Sequence, residues 1–523
     1  MPPHKTDVTR RRFLQTGAAG IGAAGLGAMV GLPGVAHAAE RPGSAPTPGA
    51  SPTVASPTVA SPVGAIRVRQ TAGARHYAAL PDLAWRAGAA SPGAGDVVLA
   101  PDRRRQDVLG FGAAFTDAAC YLFSRLAPSA RSALFHELYH PSEMALSVGR
   151  ACVGSSDYSA VAYTYDESPT PDLTLAKFSI AHDRQWILPM LREVRAANPD
   201  LFLLASPWSP PAWMKDNNSL LGGTIRRRYL GTYADYLTKF VQAYAAEGVP
   251  VGALTTQNEV DTDQDGAMPQ CTWPQEAEVQ FVGQHLGPAL ARAGLPTKIW
   301  LIDHNYNLWG RAIGELEDDA VHRYADGIAW HGYVGSPTSM TRVHDAYPDK
   351  HAYWTEGGPD ITSPRYATDW APWAVQFTDI LRNWSRCIIA WNYALDERGK
   401  PNIGPFACGG LVTIHSGTQA VTRSGMYWAF AHFSRHVRRG ARVFESTGGT
   451  PPAGAGAPPP ATGGGARPAT EFGHVAFENP DGSRVLVLAN TGTRPLTPRV
   501  VLGGSAVEVA LPADSVTTLE WTT

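Results

Sequence analysis

Residues 201–259 alternate between two kinds of pattern. The apolar run LFLLA (201–205) leads into SPWSPPAW (206–213), and the apolar run VGALTT (251–256) leads into QNE (257–259). Between them, RRRYLGTYADYLTKFVQAYAAEG (226–248) carries apolar side chains at helical spacing and ends at Gly248, which can cap a helix. Strand, helix and strand in this order predict two buried parallel strands joined by a helix.

The same alternation extends in both directions along the chain. A second amphipathic helix is predicted over Asp183–Ala197. Eight short apolar runs alternate with helical segments of this kind. The runs are Val108–Phe115, Ala145–Val153, Leu201–Ala205, Val251–Thr256, Lys298–Asp303, Gly327–His331, His351–Thr355 and Cys387–Trp391. Eight strand–helix units predict a (β/α)8 TIM barrel over residues 108–437. A doubly wound sheet is the alternative, but no Gly-rich phosphate loop follows an early strand.

The N-terminus has the pattern of an export signal. Arg10, Arg11 and Arg12 precede Phe-Leu, a Gly/Ala-rich apolar stretch follows, and Ala36-His37-Ala38 resembles a cleavage site. We therefore expect residues 1–38 to be a twin-arginine signal and the protein to be extracellular or in the cell envelope. Because such cargo folds before export, the five cysteines are expected to be mostly free thiols. No integral span is expected in the mature chain.

Short strands at both ends of the barrel predict a second domain. Residues 39–64 are rich in Pro, Ser and Thr and predict an extended linker, while residues 65–107 and 438–523 contain short strands separated by turns. We expect these two segments to form one antiparallel β-sandwich, with a Gly/Pro-rich insertion at 446–470.

Charge and composition exclude several classes of function. The 523 residues carry 44 Lys and Arg against 46 Asp and Glu, a net charge of −2, so there is no basic excess for binding nucleic acid. A hydrophobic content of 44% excludes wholesale disorder. The near-neutral balance suits an uncharged substrate.

Two glutamates lie where a TIM barrel carries its chemistry. Glu259 follows the fourth run and Glu356 the seventh, and catalytic groups of such barrels lie at the carboxyl ends of the strands. A pair of carboxyl groups about 5–5.5 Å apart is the machinery of a retaining glycosidase. Trp208 and Trp391 also follow strands, and indoles stack on the apolar faces of sugars.

Six stretches resemble glycoside hydrolase family 30, the glucosylceramidase-like retaining β-glycosidases. They are GFGAAFTDA (110–118), SPWSPPAWMK (206–215), TQNE (256–259), WTE (354–356), WNYALD (391–396) and HFS (432–434). The resemblance implies a barrel with a fused β-sandwich and a carbohydrate or glycolipid substrate, with no cofactor. It implies most directly a glucosylceramidase-like β-glucosidase, with a β-1,6-glucanase or related β-glycanase as the alternative. Exo or endo action stays open.

The resemblance also assigns individual residues. Glu259 becomes the acid/base and Glu356 the nucleophile of a double displacement. The predicted substrate-binding residues are Asp117, Trp208, Asn258, His331, Tyr333 and Trp391. Asn258 is expected to bond the sugar 2-hydroxyl, and Tyr333 to donate to the nucleophile. Val260, Gly332 and Ala113 depart from the family pattern, and the absence of a Trp at Gly332 predicts a wider aglycone side.

Three other interpretations compete. Asp303, His304, Asn305, His322 and His331 could bind a metal, but they lack metal-ligand spacing, so we expect no metal site. Residues 261–266 begin like a calcium loop, yet Thr272 stands where a bidentate Glu is needed. A non-catalytic carbohydrate-binding protein would use the tryptophans equally well, although it would have no reason to retain both glutamates.

Overall fold

The computed structural model describes residues 64–89, 91–262, 264–449 and 471–522. The predicted export signal, nearly all of the predicted linker and most of the predicted insertion lie outside the described residues. Within the described part, no helix combines the length and apolar character needed to cross a bilayer.

Four strands precede the barrel, and eight parallel strands form it. The first four are β1 (Ala65–Ala72), β2 (Arg75–Ala84), β3 (Arg86–Ala87) and β4 (Val97–Asp107). The barrel strands are β5 (Gly110–Phe115), β6 (Val148–Val153), β7 (Phe202–Pro207), β8 (Ala253–Thr255), β9 (Lys298–Asn305), β10 (Ala325–His331), β11 (His351–Glu356) and β12 (Ser385–Asn392). They close in chain order, with β12 pairing to β5, which confirms the predicted TIM barrel.

Helices cover the outside of the barrel. They are α1 (Asp117–Arg125), α2 (Pro128–Tyr139), α3 (Ile187–Ala197), α4 (Leu230–Ala246), α5 (Gln275–Gln280), α6 (Gly287–Arg292), α7 (Trp309–Leu316), α8 (Asp319–Tyr324), α9 (Thr338–Ala346), α10 (Trp370–Arg382) and α11 (Gly425–Ser434). A π-helical segment, Phe281–Leu286, joins α5 to α6, and short 3-10 turns cover Ala212–Met214, Arg227–Tyr229, Gln264–Gly266 and Tyr306–Leu308.

The two predicted helices begin later than the pattern indicated. The first starts at Leu230 after a 3-10 turn, and α3 starts at Ile187 rather than at Asp183. The helix begins after Trp186 because the backbone of that residue is not helical, with φ = −146° and ψ = −34°. Asp183 precedes the helix, and its buried carboxylate accepts hydrogen bonds from the hydroxyls of Tyr163, Tyr165 and Tyr244.

A second sheet is built from both ends of the chain. Strands β13 (Ala394–Leu395), β14 (Val412–Ile414) and β15 (Val421–Arg423) form a small separate sheet. The second sheet combines β1–β4 with β16 (Arg442–Gly448), β17 (Phe472–Glu478), β18 (Arg484–Asn490), β19 (Arg499–Leu502), β20 (Ser505–Glu508) and β21 (Ser515–Trp521). The strand order is β2-β1-β21-β18-β17-β16-β4-β19-β20-β3, and only β4 and β19 pair in parallel. The predicted union of the two terminal segments is confirmed.

This sheet is apolar on both faces, and each face packs against a different partner. In β18, Leu486 and Leu488 point into the sheet's own core, whereas Val485 and Val487 join the core of the barrel. A Cβ on Gly473 of β17 would lie 2.4 Å from Thr378 Oγ1 of α10, so glycine allows close packing there. The sheet therefore buttresses the barrel through α10.

Candidate active site

Arg150 organises the mouth of the barrel. It lies on β6 with its side chain fully buried, and its guanidinium donates to four side chains. These acceptors are Ser206 Oγ (3.0 Å), Asn258 Oδ1 (2.7 Å), Asp303 Oδ2 (2.7 Å) and a carboxylate oxygen of Glu356. Because a rigid guanidinium binds several acceptors in fixed directions, Arg150 sets the positions of both Asn258 and Glu356.

Asp303 of β9 is the second buried charge of this network. One of its oxygens accepts from Arg150, and the other accepts from His331 Nε2 (3.0 Å) and Thr355 Oγ1 (2.7 Å). Burial alone would raise the pKa of Asp303, but the charge of Arg150 and the hydrogen bonds of His331 and Thr355 hold it well below its usual range. Asp303 is therefore an anion that compensates Arg150.

The two predicted catalytic glutamates approach each other across the mouth. A carboxylate oxygen of Glu259 lies within 4.8 Å of one from Glu356, and a ring nitrogen of His331 lies within the same distance of both. Tyr333 Oη donates to Glu356 Oε1 at 2.9 Å. The side chain of Glu356 is 7% exposed and that of Glu259 is 13% exposed, so Glu356 is the deeper of the two.

Two histidines flank Glu259. His331 Nδ1 and His304 Nε2 each lie 3.4 Å from Glu259 Oε1. Burial raises the pKa of Glu259, but the charges and hydrogen bonds of His304 and His331 outweigh it and lower that pKa. The Glu259 residue itself has φ = +55°, a backbone conformation that a non-glycine residue rarely adopts. Backbone strain of this kind is common at functional sites.

Trp208 and Trp391 form one wall of the mouth. Their rings stack with centroids 5.3 Å apart, and the Arg150 guanidinium lies 4.8 Å from the Trp208 ring and 5.5 Å from the Trp391 ring. Tyr158 contacts Trp391 edge-on at 5.9 Å. The aromatic wall thus packs directly against the charge network.

The carboxylate of Asp117 is bonded by three groups of the protein. Its Oδ1 accepts from His182 Nε2 (2.9 Å) and Trp186 Nε1 (2.6 Å), and its Oδ2 accepts from the Ala160 amide (3.2 Å). These bonds satisfy the carboxylate away from the glutamates. Burial and the charges of Glu356 and Glu259 raise the pKa of Asp157, which follows β6, well above its ordinary value. The assignment of Asp117 to the glycone subsite stays a prediction.

Comparisons with known proteins identify the family. The profile of the "Glycosyl hydrolase family 30 TIM-barrel domain" matches residues 108–437, and that of the "Glycosyl hydrolase family 30 beta sandwich domain" matches residues 462–519. The chain belongs to glycoside hydrolase family 30. It is therefore a glycosidase that acts on carbohydrate, and the resemblance inferred from the motifs is confirmed.

Named relatives within the family fall into two groups. An endo-1,6-β-D-glucanase of Neurospora crassa is 34% identical over 75% of this chain and 80% of its own. A putative glucosylceramidase 2 of Caenorhabditis elegans is 30% identical over 75% of this chain and 76% of its own. Among solved structures, the endo-β1,6-glucanase BT3312 aligns with a TM-score of 0.76 at 28% identity, covering 88% of this chain and 100% of that one.

The departures from the family 30 pattern have structural explanations. A Cβ on Gly332 would lie 2.8 Å from Trp354 Cζ2, so glycine here allows the backbone to approach that indole. The expected widening of the aglycone side stays a prediction. Val260 is fully buried in the barrel core.

The charge network around Arg150 argues against a metal ion between the two glutamates. Glu259, His331 and Glu356 are the group of described residues whose spacing could hold a cation. However, the fixed positive charge of Arg150 already binds Glu356, and it would repel a divalent ion there. His322 lies elsewhere, on α8, 3.1 Å from Asp349. In the proposed calcium loop, Asp261 contacts His304 and Thr272 Oγ1 donates to the Thr262 carbonyl.

The contacts of three residues, Arg150, Asp303 and His304, with the two glutamates or their neighbours were not predicted from the sequence. Arg150 stands alone as a charged residue within the apolar run Ala145–Val153. A charge in a strand buried on both faces needs a buried partner, and that signal could have revealed it. Asp303 and His304 had been considered only as metal ligands.

Proposed function

We propose that this family 30 enzyme is a retaining β-glucosidase that works by double displacement through Glu356 and Glu259. The proposal rests on the distance between the two carboxylates: an oxygen of Glu356 lies within 4.8 Å of an oxygen of Glu259. Retaining enzymes hold the two carboxyl groups about 5–5.5 Å apart, whereas inverting enzymes separate them by about 6.5–9.5 Å to admit a water. The observed gap supports direct attack by a carboxylate.

Glu356 suits the role of nucleophile. It is the deeper carboxylate, and Arg150 and Tyr333 each donate a hydrogen bond to one of its oxygens. In the first step an oxygen of Glu356 attacks the anomeric carbon, and the bond to the glycosidic oxygen breaks. The covalent glycosyl ester that results is hydrolysed in the second step.

Glu259 suits the role of acid/base. It protonates the departing oxygen in the first step, and in the second step it takes a proton from the attacking water. Asn258 precedes it, and because Oδ1 of Asn258 is occupied by Arg150, its NH2 group is the part able to donate to a sugar hydroxyl. A donor at the 2-hydroxyl stabilises the transition state.

The proposed substrate is a β-1,6-linked glucan. The relative named an endo-1,6-β-D-glucanase is 34% identical, compared with 30% for the named glucosylceramidase, and a β1,6-glucanase structure aligns over 88% of the chain. These similarities favour a β-1,6-glucanase, the alternative inferred from the sequence, over a glucosylceramidase-like enzyme. Assays on β-1,6-glucan, glucosylceramide, xylan and β-galactan should give highest kcat/KM on the first. Preferential cleavage of glucosylceramide would reverse the choice.

Azide rescue tests the two roles separately. With an activated aryl β-glucoside, Glu356→Ala should be rescued by azide to give the α-glucosyl azide, and Glu259→Ala to give the β-glucosyl azide. Glu317→Gln, at an exposed glutamate of the same chain, is the matched control and should keep full activity. Normal turnover by Glu356→Ala would refute the mechanism, whereas a wild type that cleaves no glycoside would favour the carbohydrate-binding interpretation.

We further propose that the chain is exported by the twin-arginine route. The support is the sequence of residues 1–38 alone. Replacing Arg10 and Arg11 by Lys should retain the protein inside the cell while leaving the activity of the cytoplasmic pool unchanged. Unaltered export of the double variant would contradict the proposal.

A further inference from the structure

A break in the register of β9 brings two consecutive side chains into the site. Ile302 pairs with Ala329 and His304 with Trp330, so Asp303 is an extra residue between them. Ile302 and Asp303 have φ of +72° and +45°, both in the left-handed region. In a regular strand, neighbours point to opposite faces, but this bulge lets Asp303 reach Arg150 while His304 reaches Glu259.

His304 is enclosed by polar partners on both ring nitrogens. Nδ1 contacts the carboxylate of Asp261. Nε2 lies 3.4 Å from Glu259 Oε1, 3.3 Å from Thr262 Oγ1 and 2.9 Å from Asn305 Nδ2. The side chain of His304 is 5% exposed, whereas that of Asp261 is 40% exposed.

The orientation of the Asn305 amide is fixed by the backbone. Its Oδ1 accepts hydrogen bonds from the amides of Tyr333 and Val334, each at 3.0 Å. Its NH2 group must therefore face His304 Nε2. Since an NH2 group only donates, it requires Nε2 to be an acceptor, which leaves the ring proton on Nδ1, directed at Asp261.

The Asn305 NH2 group favours a neutral His304, whereas the neighbouring carboxylates favour a charged one. Burial lowers the pKa of His304, whereas the negative charges of Glu259 and Asp261 act to raise it, and these two charges favour a proton on the imidazole over one on Glu259. A charged imidazole would direct an Nε2 hydrogen at the Asn305 NH2 group, so two donors would face each other at 2.9 Å. The amide therefore counteracts proton transfer from Glu259 to His304.

We propose that Asn305 is a positioning residue that holds His304 neutral and so keeps the shared proton on Glu259, where the general acid requires it. The inference rests on the proposed acid/base role of Glu259. In the first step the proton passes from Glu259 to the glycosidic oxygen, and in the second step water returns a proton to Glu259. His304 stays neutral throughout, with its Nε2 lone pair accepting from the Asn305 NH2 group.

Other charged groups also affect the proton shared by Glu259 and His304. They are present in the wild type and in every variant of Asn305. The titratable groups that face Glu259 or His304 from the surrounding described elements are Asp157, Asp261, Asp303, His331, Tyr333 and Glu356, with Arg150 behind them. A test must therefore change Asn305 alone and leave these groups in place.

Asn305→Asp is the discriminating variant. A carboxylate keeps the acceptor for Tyr333 and Val334, but it replaces the NH2 donor with an oxygen that stabilises charged His304. For a β-1,6-glucan oligosaccharide, the plateau of kcat/KM should fall by about 10-fold or more, because the shared proton moves from Glu259 to His304. The alkaline limb should move up by about 1 pH unit, since the added negative charge raises the pKa at which the pair loses that proton. For 2,4-dinitrophenyl β-glucoside, whose leaving group needs no proton, kcat/KM should stay within about threefold.

The control is Asn307→Asp, which adds the same charge at an exposed position two residues away and should leave the alkaline limb in place. Histidine-selective 15N NMR gives a readout that does not need turnover: His304 should be neutral in the wild type near pH 6 and charged in Asn305→Asp. A charged His304 in the wild type, or an unmoved alkaline limb in the variant, would overturn the inference. Inactivity of the wild type on every glucoside would instead refute the proposed function, while the NMR result still decides the inference.

Discussion

Replacing Asp303 by Asn should destabilise the protein far more than the loss of an ordinary ion pair. The side chains of Arg150 and Asp303 are both 0% exposed, so no water can solvate Arg150 once its partner loses its charge. Asp303 accepts from Arg150, Ser206 and Thr255 at one oxygen and from His331 and Thr355 at the other. An Asn side chain must turn its NH2 group toward one of these two sets of donors.

The magnitude follows from the burial. Breaking a buried ion pair by removing one partner costs about 3–5 kcal/mol, against a typical total stability of about 5–15 kcal/mol. Because Arg150 also positions Glu356, a small displacement of the nucleophile should lower kcat by about 100-fold.

Urea unfolding followed by tryptophan fluorescence measures the change in the free energy of unfolding. The matched control is Glu445→Gln, which removes the acid from the Arg103–Glu445 pair at 2.9 Å. Arg103 is 70% exposed there, so the expected loss is about 0–1 kcal/mol. If Asp303→Asn loses no more than about 1 kcal/mol of unfolding free energy beyond the loss in this control, the reasoning about the buried network is wrong.

Three further predictions concern single residues. Burial lowers the pKa of His474 to about 4, so the stability that neutral His474 contributes is complete above pH 6.5 and is lost as the pH falls toward 4. Urea unfolding of the wild type and of His474→Gln should show about 3 kcal/mol less acid destabilisation in the variant. Gly332→Ala should cost about 1–3 kcal/mol of unfolding free energy, because its Cβ would meet Trp354, and unchanged stability would contradict that packing. Tyr333→Phe should lower kcat by about 10-fold or more through loss of the hydrogen bond to Glu356, and steady-state kinetics with an unchanged kcat would argue against a role for that bond.

The sequence predicted the barrel because burial on both faces makes parallel strands apolar throughout. The same logic located Glu259 and Glu356, since each directly follows such a run. The union of residues 65–107 with the C-terminal strands was also predictable, because neither set of short strands could bury its apolar faces alone.

What the sequence did not predict depends on backbone geometry. The roles of Asp303 and His304 follow from an added residue in β9, and a shift of one residue reverses which side chains face inward. The hydrogen bonds of Asp117 to His182 and Trp186 were not predictable either, because these partners are distant from it in sequence. Such pairings become visible only when the loops are placed in three dimensions.

The most direct test of the proposed mechanism is covalent trapping of the nucleophile. A 2-deoxy-2-fluoro-β-glucoside with a good leaving group should inactivate the enzyme, because fluorine slows hydrolysis of the glycosyl ester more than its formation. Mass spectrometry of the digested protein should then find the fluorosugar on Glu356. A label on another residue, or turnover that releases the inverted anomer with no trapped ester, would contradict the account.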